Sequence, residues 1–151
     1  MSTRYPLFLV LALLAAGCTQ ARRSRSVEFL HAPAGGDVAP IVSSEQQRAG
    51  REGRPLLVYV GASWCEPCQR FHKAASEGKL DAAFPGLRLV EFDADRDGER
   101  LATAGYVGRF IPLFARPSGD GRSSGRQVEG SVAGDTVVDD ITPRLRKLLA
   151  D

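Results

Sequence analysis

Hydrophobic and polar positions along the chain alternate between two spacings, one typical of strands and one of helices. Runs of branched and aromatic residues, which strands prefer, occur at 27–31, 56–61, 87–95 and 110–116. Apolar residues at helical spacing indicate helices over 38–53, 64–78, 96–106 and 137–149. The segment 126–132 follows a glycine-rich turn and is expected to pair with the preceding strand. The order β-α-β-α-β-α-β-β-α predicts an α/β fold with a mixed central sheet and helices on both faces.

Several residues are expected to mark helix ends. Asp37 is placed to cap the first helix, Gly78 to interrupt the second or end its first part, and Gly105 to end the third. Pro143 lies inside the last apolar pattern, where proline interrupts backbone hydrogen bonding. We therefore expect either a kink at Pro143 or a second helical segment capped by Thr142.

The first eighteen residues have a different pattern from the rest. Arg4 precedes an apolar run, 6–17, that is shorter than the roughly 20 residues needed to cross a bilayer. The run is typical of the apolar region of a secretory signal. Its end, LLAAGC, resembles the lipobox of bacterial lipoproteins, which implies lipidation of Cys18, although Ala15 stands where leucine is usual. The alternative is an ordinary cleaved signal or a short anchor, in which Cys18 has no role.

Composition and charge exclude several classes of protein. The chain has 151 residues, of which 43% are hydrophobic and 25% charged, so it fits one globular domain with a tail. A formal net charge of +2 gives no indication of a nucleic-acid partner. Three cysteines are too few for a disulfide scaffold. With Cys18 assigned to the signal, the other two cysteines form a pair.

That pair lies in the segment SWCEPCQ, at the junction between a predicted strand and a predicted helix. The N-terminus of a helix favours an anion, so it stabilises a thiolate on Cys65. The thiolate is the attacking species in disulfide exchange. Cys68 follows one turn later and is placed to form and break a bond with Cys65.

The run Trp64-Cys65-Glu66-Pro67-Cys68, together with Ile111-Pro112, resembles the thioredoxin superfamily and, within it, exported thioredoxin-like reductases. The resemblance covers about residue 37 to the C-terminus. It implies a thioredoxin fold and a redox disulfide between Cys65 and Cys68. It also implies that Pro112 is cis beside that disulfide, that the Ile111 backbone pairs with substrate, and that Trp64 flanks the active site.

Two positions depart from the family pattern. Thioredoxins carry a buried aspartate where this chain has Tyr59, and a kink-forming proline where it has Lys73. The aspartate helps to move a proton to the second cysteine, so that aid is missing or replaced here. Glu66 bears on the direction of exchange, because a carboxylate beside Cys65 destabilises the thiolate and lowers the reduction potential. Glu66 thus favours a reductase.

The sequence therefore predicts a membrane-anchored lipoprotein of the bacterial cell envelope that faces the periplasm, with the outer membrane slightly favoured. We divide it into a signal (1–18), a tether with a short strand (19–36) and a thioredoxin-like domain (37–151). Cys65 would attack disulfides of protein substrates and Cys68 would resolve the mixed disulfide. The expected partners are those substrates, an upstream thiol donor and the membrane. No organic cofactor and no metal is implied.

Other functions stay open at this point. The same fold supports disulfide oxidases and isomerases, and it also occurs as a binding domain with a static disulfide. A copper or zinc site could use Cys65, Cys68 and His72, while His31, the other histidine, is expected to lie far from them. Asp93, Asp95 and Asp97 do not complete a calcium loop, and we interpret them as a solvated turn.

Overall fold

The computed structural model describes residues 25–130 and 133–150. In chain order its elements are β1 (Glu28–His31), α1 (Val38–Arg51), β2 (Leu56–Gly61), α2 (Glu66–Ser76), β3 (Arg88–Asp93), α3 (Ala94–Thr103), β4 (Leu113–Pro117), β5 (Ser123–Glu129) and α4 (Val137–Ala150). This is the predicted order. The signal segment and Cys18 lie outside the described residues. No helix in the described ranges is long and apolar enough to cross a bilayer.

The strands form one mixed sheet in the order β1-β3-β2-β4-β5. Strands β1, β3 and β2 are parallel, whereas β4 is antiparallel to β2 and β5 is antiparallel to β4. The predicted mixed sheet is confirmed. Strand β1 is the edge strand beside β3, so the short strand that we grouped with the tether belongs to the central sheet.

Side chains of the strands alternate between two apolar layers, as the period of a strand requires. Leu57 and Tyr59 of β2 pack under α2 and α4, in a cluster with Phe71, Phe114 and Ile141. The intervening residues of β2 face α1 and α3, in a cluster that contains Val38, Val42, Val58, Val60 and Leu101. Helices therefore cover both faces of the sheet, as predicted.

Some element boundaries differ from the predicted ones. Strand β4 begins at Leu113 rather than at 110, because Pro112 has no N–H to give to a strand ladder. Strand β3 ends at Asp93 because the Asp93 side chain accepts hydrogen bonds from the Asp95 and Arg96 N–H groups and so caps α3. Strand β5 covers 123–129 rather than 126–132, and residues 131 and 132 of the predicted strand lie outside the described ranges.

Two predictions need correction, one about the interior of α4 and one about the start of α1. Helix α4 is one element that contains Pro143, and the Thr142 hydroxyl donates to the Val138 carbonyl at 2.7 Å instead of capping a second segment. Ile141 and Leu145 are fully buried on both sides of the proline, and this packing holds the helix together. Asp37 occupies the cap position of α1, but its side chain makes no capping hydrogen bond.

Asp97 does not lie in a solvated turn, as the sequence suggested. It is 1% exposed, and its carboxylate pairs with the guanidinium groups of Arg96 and Arg100. Arg100 also donates to the carbonyls of Pro33 and Gly35. Asp97 thus holds the arginine that fastens the β1–α1 connection to α3.

Candidate active site

Cys65 and Cys68 form a disulfide at the N-terminus of α2, with Cα atoms 5.2 Å apart. Cys65 is the N-cap residue, and its sulfur accepts the Cys68 N–H at 3.3 Å. This N–H is one of the free amide groups of the first turn, and a helix N-terminus with an N–H directed at the sulfur stabilises a thiolate. Both cysteines are almost fully buried, at 4% and 2% exposure.

Pro67 and Glu66 begin the helix that presents the cysteines. Pro67 lies in the first turn, where a missing N–H costs no intrahelical bond. Glu66 forms an ion pair with Arg70 one turn later, and Arg70 also pairs with Asp135. The hydrogen bond from Arg70 is the main reason that the pKa of Glu66 lies below its ordinary value. Glu66 is therefore ionised, and its charge is partly offset by Arg70, which the sequence analysis did not anticipate.

Trp64 precedes the disulfide and is 66% exposed. Its indole N–H donates to the Asp95 carboxylate, at 2.8 Å from Nε1 to Oδ2. This bond joins the segment before α2 to the start of α3. Trp64 therefore lies beside Cys65 as an exposed aromatic surface, where the resemblance placed it.

The loop before β4 reaches the same site from the other side. The Ile111–Pro112 peptide bond is cis, as the resemblance implied, and Ile111 packs against the buried cluster of Ala62, Cys65 and Cys68. The Glu129 carboxylate of β5 accepts the Arg109 and Phe110 N–H groups at 2.7 and 3.1 Å, and thereby fixes the loop. Phe110 is 63% exposed and adds a second aromatic surface that the sequence analysis missed.

A surface cleft of about 570 Å³ opens beside Cys68. Tyr59 lines it and is fully buried, and its hydroxyl has no hydrogen-bond partner in the part of the chain that the structure describes. Burial, and then the charge of Glu91, raises the pKa of Tyr59, so the hydroxyl stays neutral. The family position that usually holds an aspartate thus contributes an uncharged hydroxyl here.

Glu91 of β3 lies between the two histidines in the same cleft. Its Oε1 is 2.6 Å from His72 Nε2, and its Oε2 is 2.7 Å from His31 Nδ1. His31 was expected to be far from His72, and that prediction is wrong, since β1 and α2 both pack beside β3. The Nε2 atom of His72 is engaged by Glu91, and no group of three His, Cys, Asp or Glu within 25–130 and 133–150 could hold a metal ion.

The sequence offered weak signals for the residues that it missed. Glu91 is a charged residue inside the apolar run RLVEFD, and His72 follows Cys68 by four residues, which places both on one helix face. Neither signal identifies a partner. The partners became visible only when β1, β3 and α2 were in place.

The assembled site can carry out thiol–disulfide exchange. A cysteine pair at disulfide distance stands at a helix N-terminus, where the attacking thiolate is stabilised. The exposed aromatic side chains of Trp64 and Phe110 belong to the two segments that flank the pair. The site thus combines a cysteine pair at disulfide distance with exposed aromatic side chains beside it.

One protein-family model and several solved structures are similar to this chain. A family model described as thioredoxin-like matches residues 41–115. Similar solved structures include a thioredoxin from Trichomonas vaginalis, with 20% identity, a TM-score of 0.47, and coverage of 80% of this chain and 94% of that one. Oxidised thioredoxin O1 from Arabidopsis thaliana has 18% identity and a TM-score of 0.48, with coverage of 84% and 100%. No curated protein gives a significant match.

The family model includes β2, the cysteine pair, β3 and the cis-proline loop. These are the elements that build the site described above. The observed sheet, with its helices on both faces, is the fold that the resemblance implied. The chain belongs to the thioredoxin superfamily.

Proposed function

We propose that this protein is a disulfide reductase of the bacterial cell envelope that acts on other proteins. The Cys65 thiolate attacks a substrate disulfide, and one substrate sulfur leaves as a thiolate that takes a proton from solvent. Cys68 then attacks the mixed disulfide, releases the second substrate thiol and leaves the enzyme oxidised. An upstream thiol donor restores the dithiol.

The observation that carries this proposal is the position of Cys65 as N-cap of α2, bonded to Cys68 and covered by Ile111 beside the cis proline. The sulfur that receives the hydrogen bond from the Cys68 N–H, at the helix N-terminus, is the one suited to attack. Cys68 follows one turn later and is bonded to Cys65, so it is placed to close the disulfide after Cys65 has attacked. The geometry supports an attacking and a resolving cysteine in that order.

The fold weakens the argument from Glu66 that exchange runs in the direction of a reductase. An unpaired Glu66 would lower the reduction potential by destabilising the Cys65 thiolate. In the fold, Arg70 balances that charge, so the effect of Glu66 is reduced. Resemblance to exported thioredoxin-like reductases remains the main support. An oxidase or isomerase is the second candidate, and the Glu66–Arg70 pair is the observation that favours it.

The equilibrium reduction potential distinguishes these two functions. A value at or below about −230 mV supports a reductase, and a value above about −180 mV supports an oxidase or isomerase. Reduction of a protein disulfide by the reduced chain would be measured in parallel. Absence of any exchange by either assay would reject both functions.

The location in the envelope is proposed from the N-terminal sequence alone. An apolar run that ends in LLAAGC favours export and lipidation at Cys18. The arginine-containing tether would then separate the folded domain from the membrane surface. Cys18→Ala should move the protein out of the membrane fraction, and unchanged membrane association would reject the lipid anchor.

A further inference from the structure

The cleft beside Cys68 collects ionisable groups from every element that packs around it. Two belong to α2, namely Cys68 and His72. The others are His31 of β1, Tyr59 of β2, Glu91 and Asp93 of β3, and Arg96 of α3. Asp93 caps α3, and Arg96 pairs with Asp97. Both of these groups are therefore already engaged by the fold.

His72 is the member of this set that best meets the requirements of a base for Cys68. It follows Cys68 by four residues on α2, a spacing that puts Cβ atoms about 6 Å apart on one helix face. The imidazole is stacked on Phe29, with ring centroids 3.8 Å apart, and it meets the Tyr59 ring edge-on at 5.5 Å. These contacts restrict the ring to one orientation.

Glu91 determines which nitrogen of His72 can accept a proton. An ionised carboxylate only accepts hydrogen bonds, so at 2.6 Å the Nε2 atom of His72 carries the hydrogen and donates to Glu91. The neutral ring then has an unprotonated Nδ1. A carboxylate at Nε2 also stabilises the imidazolium that forms when Nδ1 takes a proton, which is the role of a carboxylate in hydrolase triads.

The two other candidates are less suited to this role. Tyr59 occupies the position where the family carries an aspartate, but its buried hydroxyl is neutral and accepts a proton poorly. His31 also contacts Glu91, but its side chain is 80% exposed compared with 36% for His72, and it belongs to the edge strand β1. His72 is thus the remaining candidate for the base, and it lies on the same helix as Cys68.

We propose that His72, oriented by Glu91, accepts the proton of Cys68 when Cys68 resolves the mixed disulfide. The proton passes from the Cys68 sulfur to Nδ1, directly or through one solvent water. The Cys68 thiolate attacks the Cys65 sulfur and forms the intramolecular disulfide. The bond between Cys65 and the substrate breaks, and its electron pair leaves on the substrate sulfur. Glu91 is a positioning residue in this step. The inference rests on the proposed thiol–disulfide exchange.

The two steps can be timed separately with the aromatic disulfide DTNB. The reduced full chain, purified in detergent with Cys18→Ala so that only the active pair reacts, is mixed with a limiting amount of reagent. Attack by Cys65 releases one coloured thiolate, and resolution by Cys68 releases a second. In His72→Gln the second release should be slower by at least about tenfold near pH 7, within the range of general base catalysis. The first release should be unchanged.

The pH profile distinguishes a base from a structural residue. A free thiol ionises unaided near pH 8.5, so the difference between His72→Gln and wild type should shrink above about pH 9. Added imidazole should restore the second release in His72→Ala. Glu91→Gln keeps a hydrogen-bond acceptor but loses the charge, so it should give a smaller loss with the same pH dependence.

Lys73→Gln is the matched control, because it changes the exposed neighbour of His72 on the same helix and should leave both releases unchanged. Equal second-release rates in wild type, His72→Gln and Glu91→Gln would overturn the inference, as would a loss that does not depend on pH. Failure of the wild-type chain to reduce any disulfide would instead reject the proposed function.

Discussion

The Tyr59 hydroxyl occupies the space that a side chain on Gly61 would need. A Cβ atom built on Gly61 would stand 2.6 Å from that hydroxyl and 2.9 Å from the edge of the ring. The two residues are two positions apart on β2 and therefore share one face of the sheet. Glycine at this position lets the tyrosine extend along the strand toward the cleft beside Cys68.

Gly61→Ala should therefore destabilise the fold by about 1–3 kcal/mol, the usual cost of overpacking a core. Urea unfolding measures the change. The matched control is Gly98→Ala on α3, where a Cβ would meet nothing within 4 Å. That change should stabilise the protein by up to about 1 kcal/mol, because alanine is the better helix former. Equal effects of the two substitutions would contradict this account of Gly61.

Replacement of the two cysteines should have different effects, because they act in different steps. Cys65→Ser should abolish exchange with a protein disulfide. Cys68→Ser should retain the first attack and accumulate a mixed disulfide with the substrate, which is visible by mass spectrometry under non-reducing conditions. Cys18→Ala serves as the control and should leave exchange unaffected. Trapping by Cys65→Ser instead of Cys68→Ser would reverse the assigned roles.

The Glu66–Arg70 pair should tune the reduction potential in two directions. Glu66→Gln removes a negative charge beside Cys65, which stabilises the thiolate and should raise the potential. Arg70→Gln leaves Glu66 unbalanced and should lower it. Both shifts should stay below about 30 mV because the pair is exposed and screened. Equilibration with a glutathione buffer measures them, with Arg51→Gln on α1 as a charge-matched control. Shifts of the same sign would refute this electrostatic account.

Asp97 should make the stability of the protein depend on pH in the acid range. Burial alone would raise the pKa of Asp97, but hydrogen bonds from Arg96, from the Asp93 N–H and from Arg100 outweigh it and hold the value at about 2. The folded-state pKa is thus below the ordinary value of 3.8. The carboxylate therefore contributes stability above about pH 4, and this contribution is lost as the pH falls through 2.

The contribution is up to about 2 kcal/mol, from a depression of nearly two pKa units. Asp97→Asn should lower the free energy of unfolding at neutral pH, and it should flatten the loss of stability between pH 4 and 2. Urea unfolding at a series of pH values measures both effects. Asp139→Asn on the exposed side of α4 is the control. A wild-type pH profile in Asp97→Asn would show that the carboxylate is not the titrating group.

The sequence by itself determined the order of the elements and the position of the cysteine pair. The continuous apolar run at 56–61 predicted a buried strand, which β2 is, and the motif at 64–68 placed Cys65 at a helix N-terminus. The local pattern also predicted that helices stop near Gly78 and Gly105, and the backbone has positive φ at both glycines. These features depend on residues close together in the chain, so a local pattern is sufficient to predict them.

Tertiary structure alone decided which polar groups meet. Glu91 joins His31 and His72 only because β3 lies between β1 and β2, with α2 packed above. Arg70 reaches Asp135 only because α2 packs against α4. Asp97 is buried only because its arginines close over it. Periodicity tells which face of an element avoids water, but the partners of a charged side chain depend on strand order and helix packing, which local spacing does not encode.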